Sequence, residues 1–147
     1  MAKEFMLITE CAIECEGKFL VIKRPSGSHA GGLLAFPGGG VEQIDSEAGG
    51  DFIKNATIRE AFEEVGIQIA GEIHYVTSNF FMDTKTGKAC ADVIYYTKVD
   101  NFDVTPNERE VPEYFWLTYE EMISMPNCPE WHKKYMKAVI DLRGKLG

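Results

Sequence analysis

Short turn signals, not long crossovers, join the β-forming segments of this chain, and that restricts the folds open to it. "EFMLITECAIE" and "KFLVIKR" are separated only by "CEGK", and "EIHYVTSNFFM" and "ACADVIYYTKV" only by "DTKTGK". Both pairs read as antiparallel hairpins. A regular alternation of strand and helix, which a parallel sheet would need, is missing. The expected class is α+β: helices layered around a mixed β-sheet.

Between the hairpins lies "GLLAFPGGGVE", broken at Pro37 and Gly38–Gly39–Gly40, which reads as a turn where the backbone can bend tightly or approach a ligand. A helix follows. Asp51 is placed to cap its start and Gly66 to end it. Downstream, "EYFWLT" is a short strand. Thr118 and Glu121 form a capping box for "YEEMISM". A last helix begins near Pro129, with Trp131, Tyr135, Val139, Leu142 and Leu146 at a spacing that docks one side on the sheet.

The middle helix carries the chemistry. "REAFEEVGI" holds three glutamates within five residues. With Arg59 at zero on a helical wheel, Glu63, Glu60 and Glu64 fall at about 40°, 100° and 140°, while Ile58, Ala61, Phe62 and Val65 lie roughly opposite. The helix is therefore amphipathic with an acidic outer face. Such a face is either solvated surface or a divalent-cation site. Magnesium is a hard ion that takes carboxylate oxygens and leaves room for water and phosphate, and Glu60, Glu63 and Glu64 supply that ligand type from one rigid face.

Composition narrows the function. Fifteen Lys plus Arg against 23 Asp plus Glu give a net charge of -8, which argues against binding nucleic-acid polymers. A polyanionic small molecule would need a metal ion or a few placed cations. No run approaches the roughly 18 apolar residues of a membrane span, and the N-terminus meets charge at Lys3, Glu4 and Glu10. Cys11, Cys15, Cys90 and Cys128 fit no zinc or CxxC pattern, so reduced core thiols in a cytoplasmic protein are expected. His29, His74 and His132 show no ligand spacing. Phe80, Phe81, Tyr95, Tyr96, Phe115 and Trp116 read mainly as strand core.

Taken together, "PGGGVE", Arg59–Glu60, Glu63–Glu64 and Gly66–Ile67 resemble the Nudix box, G-x5-E-x7-R-E-U-x-E-E-x-G-U, with U a bulky aliphatic residue. The half from Arg59 to Ile67 matches at every fixed position, apart from the small Ala61. The first half is longer than the pattern: Gly39 to Arg59 is twenty steps where the pattern has fourteen. Six extra residues are most simply placed within "QIDSEAGG", between Glu42 and Asp51, which puts Asp51 where the family has Glu.

The resemblance implies an α/β/α sandwich spanning residues 1–147 as one domain. It also implies Mg2+-dependent hydrolysis of a nucleoside diphosphate linked to another moiety, Mn2+ being a possible substitute. On this reading Glu60, Glu63, Glu64 and the Gly38 carbonyl bind metal, and Arg59 orients a metal-binding glutamate. Gly39 and Gly40 border the substrate, and Arg24 is positioned to meet a phosphate, although basic residues commonly flank strands. Glu60 and Glu63 share the catalytic role with a distal base drawn from Glu108, Glu110 and Glu113. Homodimers are common in the family, and nothing in the sequence decides the point. Two other classes remain open: a nucleotide-binding sensor of the same fold, and an acidic domain docking a basic partner.

Overall fold

The computed structural model describes residues 4–147; Lys3 lies outside them. Seven strands make one mixed sheet: β1 (Met6–Cys15), β2 (Lys18–Lys23), β3 (Leu34–Ala35), β4 (Gly38–Gly40), β5 (His74–Met82), β6 (Ala89–Lys98) and β7 (Glu113–Leu117). The main path runs β3-β2-β1-β6-β5, with β4 paired to β1 and β7 to β2. Both expected hairpins are present as antiparallel pairs. The long central pairing, β1 with β6, is parallel.

Three helices, α1 (Phe52–Val65), α2 (Tyr119–Ile123) and α3 (Glu130–Leu146), cover the sheet. Side chains alternate across β1 and β2. Cys11, Ile13, Leu20 and Ile22 meet Ala61 and Val65 of α1 on one face. Ala12, Phe19 and Val21 meet Met122 of α2 and Met136 and Val139 of α3 on the other. Two cores on opposite faces of one sheet make an α/β/α sandwich. This explains why β1 is buried at consecutive residues from Cys11 to Cys15.

Local signals translate directly. Asp51 Oδ1 accepts from the amides of Ile53 and Lys54 at 3.2 Å each, and Gly66 ends α1 in the left-handed region at φ 70°. Thr118 and Glu121 form the reciprocal capping box of α2. All four cysteines are free and buried; burial pushes their thiols up in pKa, which removes nucleophilic thiolate at neutral pH.

Several expectations are corrected. The glycine run is a strand laid along β1, with Gly38 opposite Glu10 and Gly40 opposite Ile8, and not a turn. Phe62, expected on the apolar side of α1, is 55% exposed, while Glu64 is buried. The acidic face is turned in toward β4, so the helix presents an aromatic ring outward instead. Phe80 and Trp131 are also exposed, because β5 is an edge strand and Trp131 stands at the first turn of α3, short of the core.

Candidate active site

The site is assembled where α1 crosses β4. Glu64 Oε1 accepts a hydrogen bond from the Gly38 amide at 3.0 Å. β4 is pressed from two sides: a Cβ on Gly38 would stand 2.0 Å from the Thr9 carbonyl oxygen of β1, and one on Gly39 would stand 2.4 Å from Glu60 Oε2 of α1. Only glycine fits at the first position without backbone movement. At the second, a flexible carboxylate would have to leave.

Burial pushes Glu64 up to about 8, with the Gly38 amide opposing and the charges of Glu110 and Glu60 adding to the rise. Burial also raises Glu60, against the pull of Arg59. Glu63 is the exposed member of the three.

Arg59 organises the acidic groups. Its Nε donates to Asp45 Oδ1 at 2.7 Å and its Nη2 to Asp45 Oδ2 at 3.0 Å and to the Gly40 carbonyl at 3.0 Å. Its Nη1 reaches Glu60 Oε1 at 2.9 Å and Glu63 Oε2 at 2.8 Å. Asp45, held below the usual carboxylate range by Arg59, is 4% exposed.

Sequence reading missed Asp45, although a signal was there. Five residues separate Gly39 from Asp45, which is the G-x5-E interval with Asp in place of Glu. The extra residues therefore follow Asp45, and Asp51 is only a helix cap. The loop is shaped by a 3-10 turn, Gln43–Ser46, in which Asp45 Oδ2 also accepts from the Glu42 amide at 2.8 Å.

The distal carboxylates separate. The segment after β6 is fastened to the last turn of α1, Thr105 N donating to Val65 O and Asn107 N to Glu64 O. Glu110 follows in the same turn, close enough for its charge to raise Glu60 and Glu64. Glu113 instead lies on β7 opposite Lys23, its carboxylate 3.4 Å from Lys23 Nζ. Glu108 is exposed.

A cavity of about 570 Å³ opens beside β4 and reaches across the sheet. Gly38, Gly39, Gly40 and Glu64 border one end, and Arg24, whose Nε donates to the His29 carbonyl at 2.6 Å, lies on its wall. Two further carboxyls line it that sequence reading did not single out, Glu10 and Asp92. Burial raises both, and for Glu10 the neighbouring Asp92 raises it further. Asp92 Oδ1 is buried without a hydrogen-bond partner, a condition that costs about 1–3 kcal/mol.

Among the described residues no three Asp, Glu, His or Cys side chains enclose a metal ion by themselves. Magnesium does not require that, since one or two carboxylates with water and phosphate complete its shell. Glu60 and Glu64 fit as donors: both face the glycine strand, and Arg59, committed to Asp45 and Glu63 as well, does not neutralise Glu64.

A helix of carboxylates pressed on a glycine strand, beside a cavity, is an arrangement that can hold a divalent cation next to a phosphorylated ligand. The NUDIX domain family matches residues 11–139, and the chain belongs to it, as a Nudix-type pyrophosphohydrolase. It is 31% identical over 123 residues to the CTP pyrophosphohydrolase of Escherichia coli K12, covering 83% of this chain and 82% of that protein. The MutT protein of Methanosarcina mazei Go1 superposes with a TM-score of 0.78 at 24% identity, covering 99% of both chains. A bifunctional NMN adenylyltransferase/ADP ribose pyrophosphatase of Francisella tularensis, complexed with AMP and a Mn ion, superposes with a TM-score of 0.71 at 16% identity, over 95% of this chain and 42% of that one.

Proposed function

We propose that the 147 residues act as one Nudix hydrolase domain that uses Mg2+, or Mn2+ in its place, to cleave the pyrophosphate bond of a nucleoside triphosphate. The observation that carries this reading is the seating of Glu60 and Glu64 against Gly38 and Gly39 at one end of the cavity. The Gly38 carbonyl, Glu60, Glu63 and Glu64 would hold the cation. When bound, it supplies neutralisation of the pyrophosphate oxygens and Lewis-acid activation.

The chain's own residues do the rest. Arg59 fixes the rotamers of Glu60 and Glu63 through Nη1, and Asp45 fixes Arg59. Arg24 faces the cavity as a cation for a phosphate, with Gly39 and Gly40 offering backbone without side-chain obstruction. Glu110 is the favoured proton acceptor for the attacking water, being exposed and near Glu60 and Glu64, whereas Glu113 is engaged with Lys23. The resemblance to a CTP pyrophosphohydrolase supports a nucleoside triphosphate over a larger substrate. No helix among the described residues is long and apolar enough to cross a membrane.

The test is release of pyrophosphate or phosphate from nucleoside triphosphates, ADP-ribose, nucleotide sugars and dinucleoside polyphosphates, with and without Mg2+. Wild type should turn over a triphosphate only with the metal, and Glu64→Gln should lose at least about a hundredfold in kcat, the scale of removing one preorganised charge-stabilising group. Turnover unaffected by chelation, or retained in the variant, would refute the assignment.

A further inference from the structure

Neither the metal-type site nor the fold gives Asp92 a task. It lies on β6 in register with Ile8 of β1 and Asn79 of β5, and Ile8 is in register with Gly40 of β4. One rung therefore crosses four strands in the order Gly40, Ile8, Asp92, Asn79, and all four residues line the same cavity. At an interstrand spacing of about 4.8 Å, Asp92 stands about 9–10 Å from the glycine strand. That is a separation a nucleoside bridges between its phosphates and the far edge of its base. Phe81, two residues along β5 from Asn79 and stacked on His29, and Trp131 also line this cavity and give it aromatic surface beside the rung.

Asp92 is 4% exposed, yet its Oδ1 has no partner. Glu10 and Tyr135 stand within hydrogen-bonding reach of the carboxyl and the charge of Arg24 reaches it, so the acceptor left over is Oδ1 alone. A buried oxygen left unmatched at the floor of a cavity is matched by whatever fills that cavity. The complementary group is an N–H donor on an aromatic edge, and among nucleobases the group that separates cytosine from uracil and adenine from hypoxanthine is an exocyclic amine. A carbonyl in the same place would set oxygen against oxygen.

We propose that Asp92 is the specificity-determining residue of this enzyme, accepting a hydrogen bond from the exocyclic amino group of cytosine or adenine and disfavouring the corresponding carbonyl base. The neighbouring Asn79 carries both a donor and an acceptor for the adjacent ring position. The assignment rests on the nucleotide-hydrolase reading for its substrate class, but its chemistry concerns binding alone.

Binding of CMP, UMP, AMP and IMP to the intact protein, measured by titration calorimetry for wild type, Asp92→Asn and Asp92→Leu, tests it without turnover. CTP and UTP hydrolysis is followed in parallel. Wild type should bind CMP over UMP and AMP over IMP by at least about tenfold, because a site that hydrogen-bonds an amine strongly rejects a ligand lacking it. Both ratios should fall to within about threefold in each variant. Asp92→Leu should melt no lower than wild type, since it removes the buried unpartnered oxygen, and Asp92→Asn, which keeps one oxygen and exchanges the other for an N–H donor, is the near-isosteric comparison.

Ratios that stay unchanged in variants that still bind nucleotide would overturn the proposal, as would a wild type that binds all four alike or none. A lower melting temperature with the ratios kept would mark Asp92 as structural and refute it equally. An amino preference without hydrolysis would sustain the assignment while removing the catalytic reading. Hydrolysis without a preference would do the reverse.

Discussion

Arg59 and Asp45, fourteen residues apart, meet through two hydrogen bonds of 2.7 and 3.0 Å. Asp45 is almost fully buried and Arg59 also reaches Glu60 and Glu63, so this pair ties the long loop before α1 to the carboxylates of the site. Replacing Asp45 with Ala should cost about 1.5–3 kcal/mol, the range for a lost hydrogen bond to a charged group. The freed Arg59 should then lower kcat by about 10–100-fold, the usual effect of losing a residue that orients a metal ligand. Urea unfolding and steady-state kinetics would check both. Full activity in a destabilised variant would show that the loop does not position Arg59.

The pH response of stability should follow Glu64. Its folded value of about 8 lies above the ordinary 4.5, so the folded protein holds this proton more tightly than the unfolded chain does. The contribution favours folding below about pH 4.5 and is lost as pH rises through 8. Metal-free protein should therefore melt progressively lower over that window, and Glu64→Gln should flatten the slope. Millimolar Mg2+ should raise the melting temperature more at pH 8.5 than at pH 6, where the carboxyl is largely protonated. Differential scanning fluorimetry across pH, with and without the metal, reads all three. Equal Mg2+ shifts at both pH values would exclude Glu64 as a ligand.

Two neighbouring glycines should respond differently to the same substitution. Gly38→Ala places a methyl 2.0 Å from a backbone oxygen of β1, so β1 and β4 must separate. The expected loss is about 3 kcal/mol or more, at the upper end of overpacking. Gly39→Ala meets the end of the Glu60 side chain, which can swing away. That variant should keep most of its stability and lose metal-dependent turnover. Chemical denaturation and kcat on the two proteins would separate packing from chemistry.

Glu110 and Glu113 give a paired comparison. Glu110→Gln should reduce kcat by about 10²–10⁴-fold, the contribution of a positioned general base. Glu113→Gln removes one partner of an exposed ion pair with Lys23 and should change kcat by less than about twofold. If the larger loss falls on Glu113, the proton acceptor has been placed on the wrong residue.

Much of the fold was legible because its signals are local. Asp51, Gly66, Thr118 and Glu121 act within four residues of themselves, and both hairpins are set by short turns. The acidic helix could be drawn from residue spacing alone, and its match to the Nudix pattern from Arg59 to Ile67 marked the family. Which way that helix faced could not be drawn: Phe62 and Glu64 exchanged places because the space above β4 admits carboxylates against glycine and leaves the aromatic ring in solvent.

The chain's order of residues thus determined the elements, their caps and the carboxylates available for chemistry, since each depends on neighbours a few positions away. Only the tertiary structure decided that Asp45 holds Arg59, that Glu113 is spent on Lys23, and that Glu10 and Asp92, 82 positions apart, share one cavity. Those contacts come from the packing of the 3-10 turn on α1, the antiparallel pairing of β2 with β7 and the parallel pairing of β1 with β6. Burial between packed layers, which no local pattern encodes, is what raises Glu64 and leaves Asp92 Oδ1 without a partner.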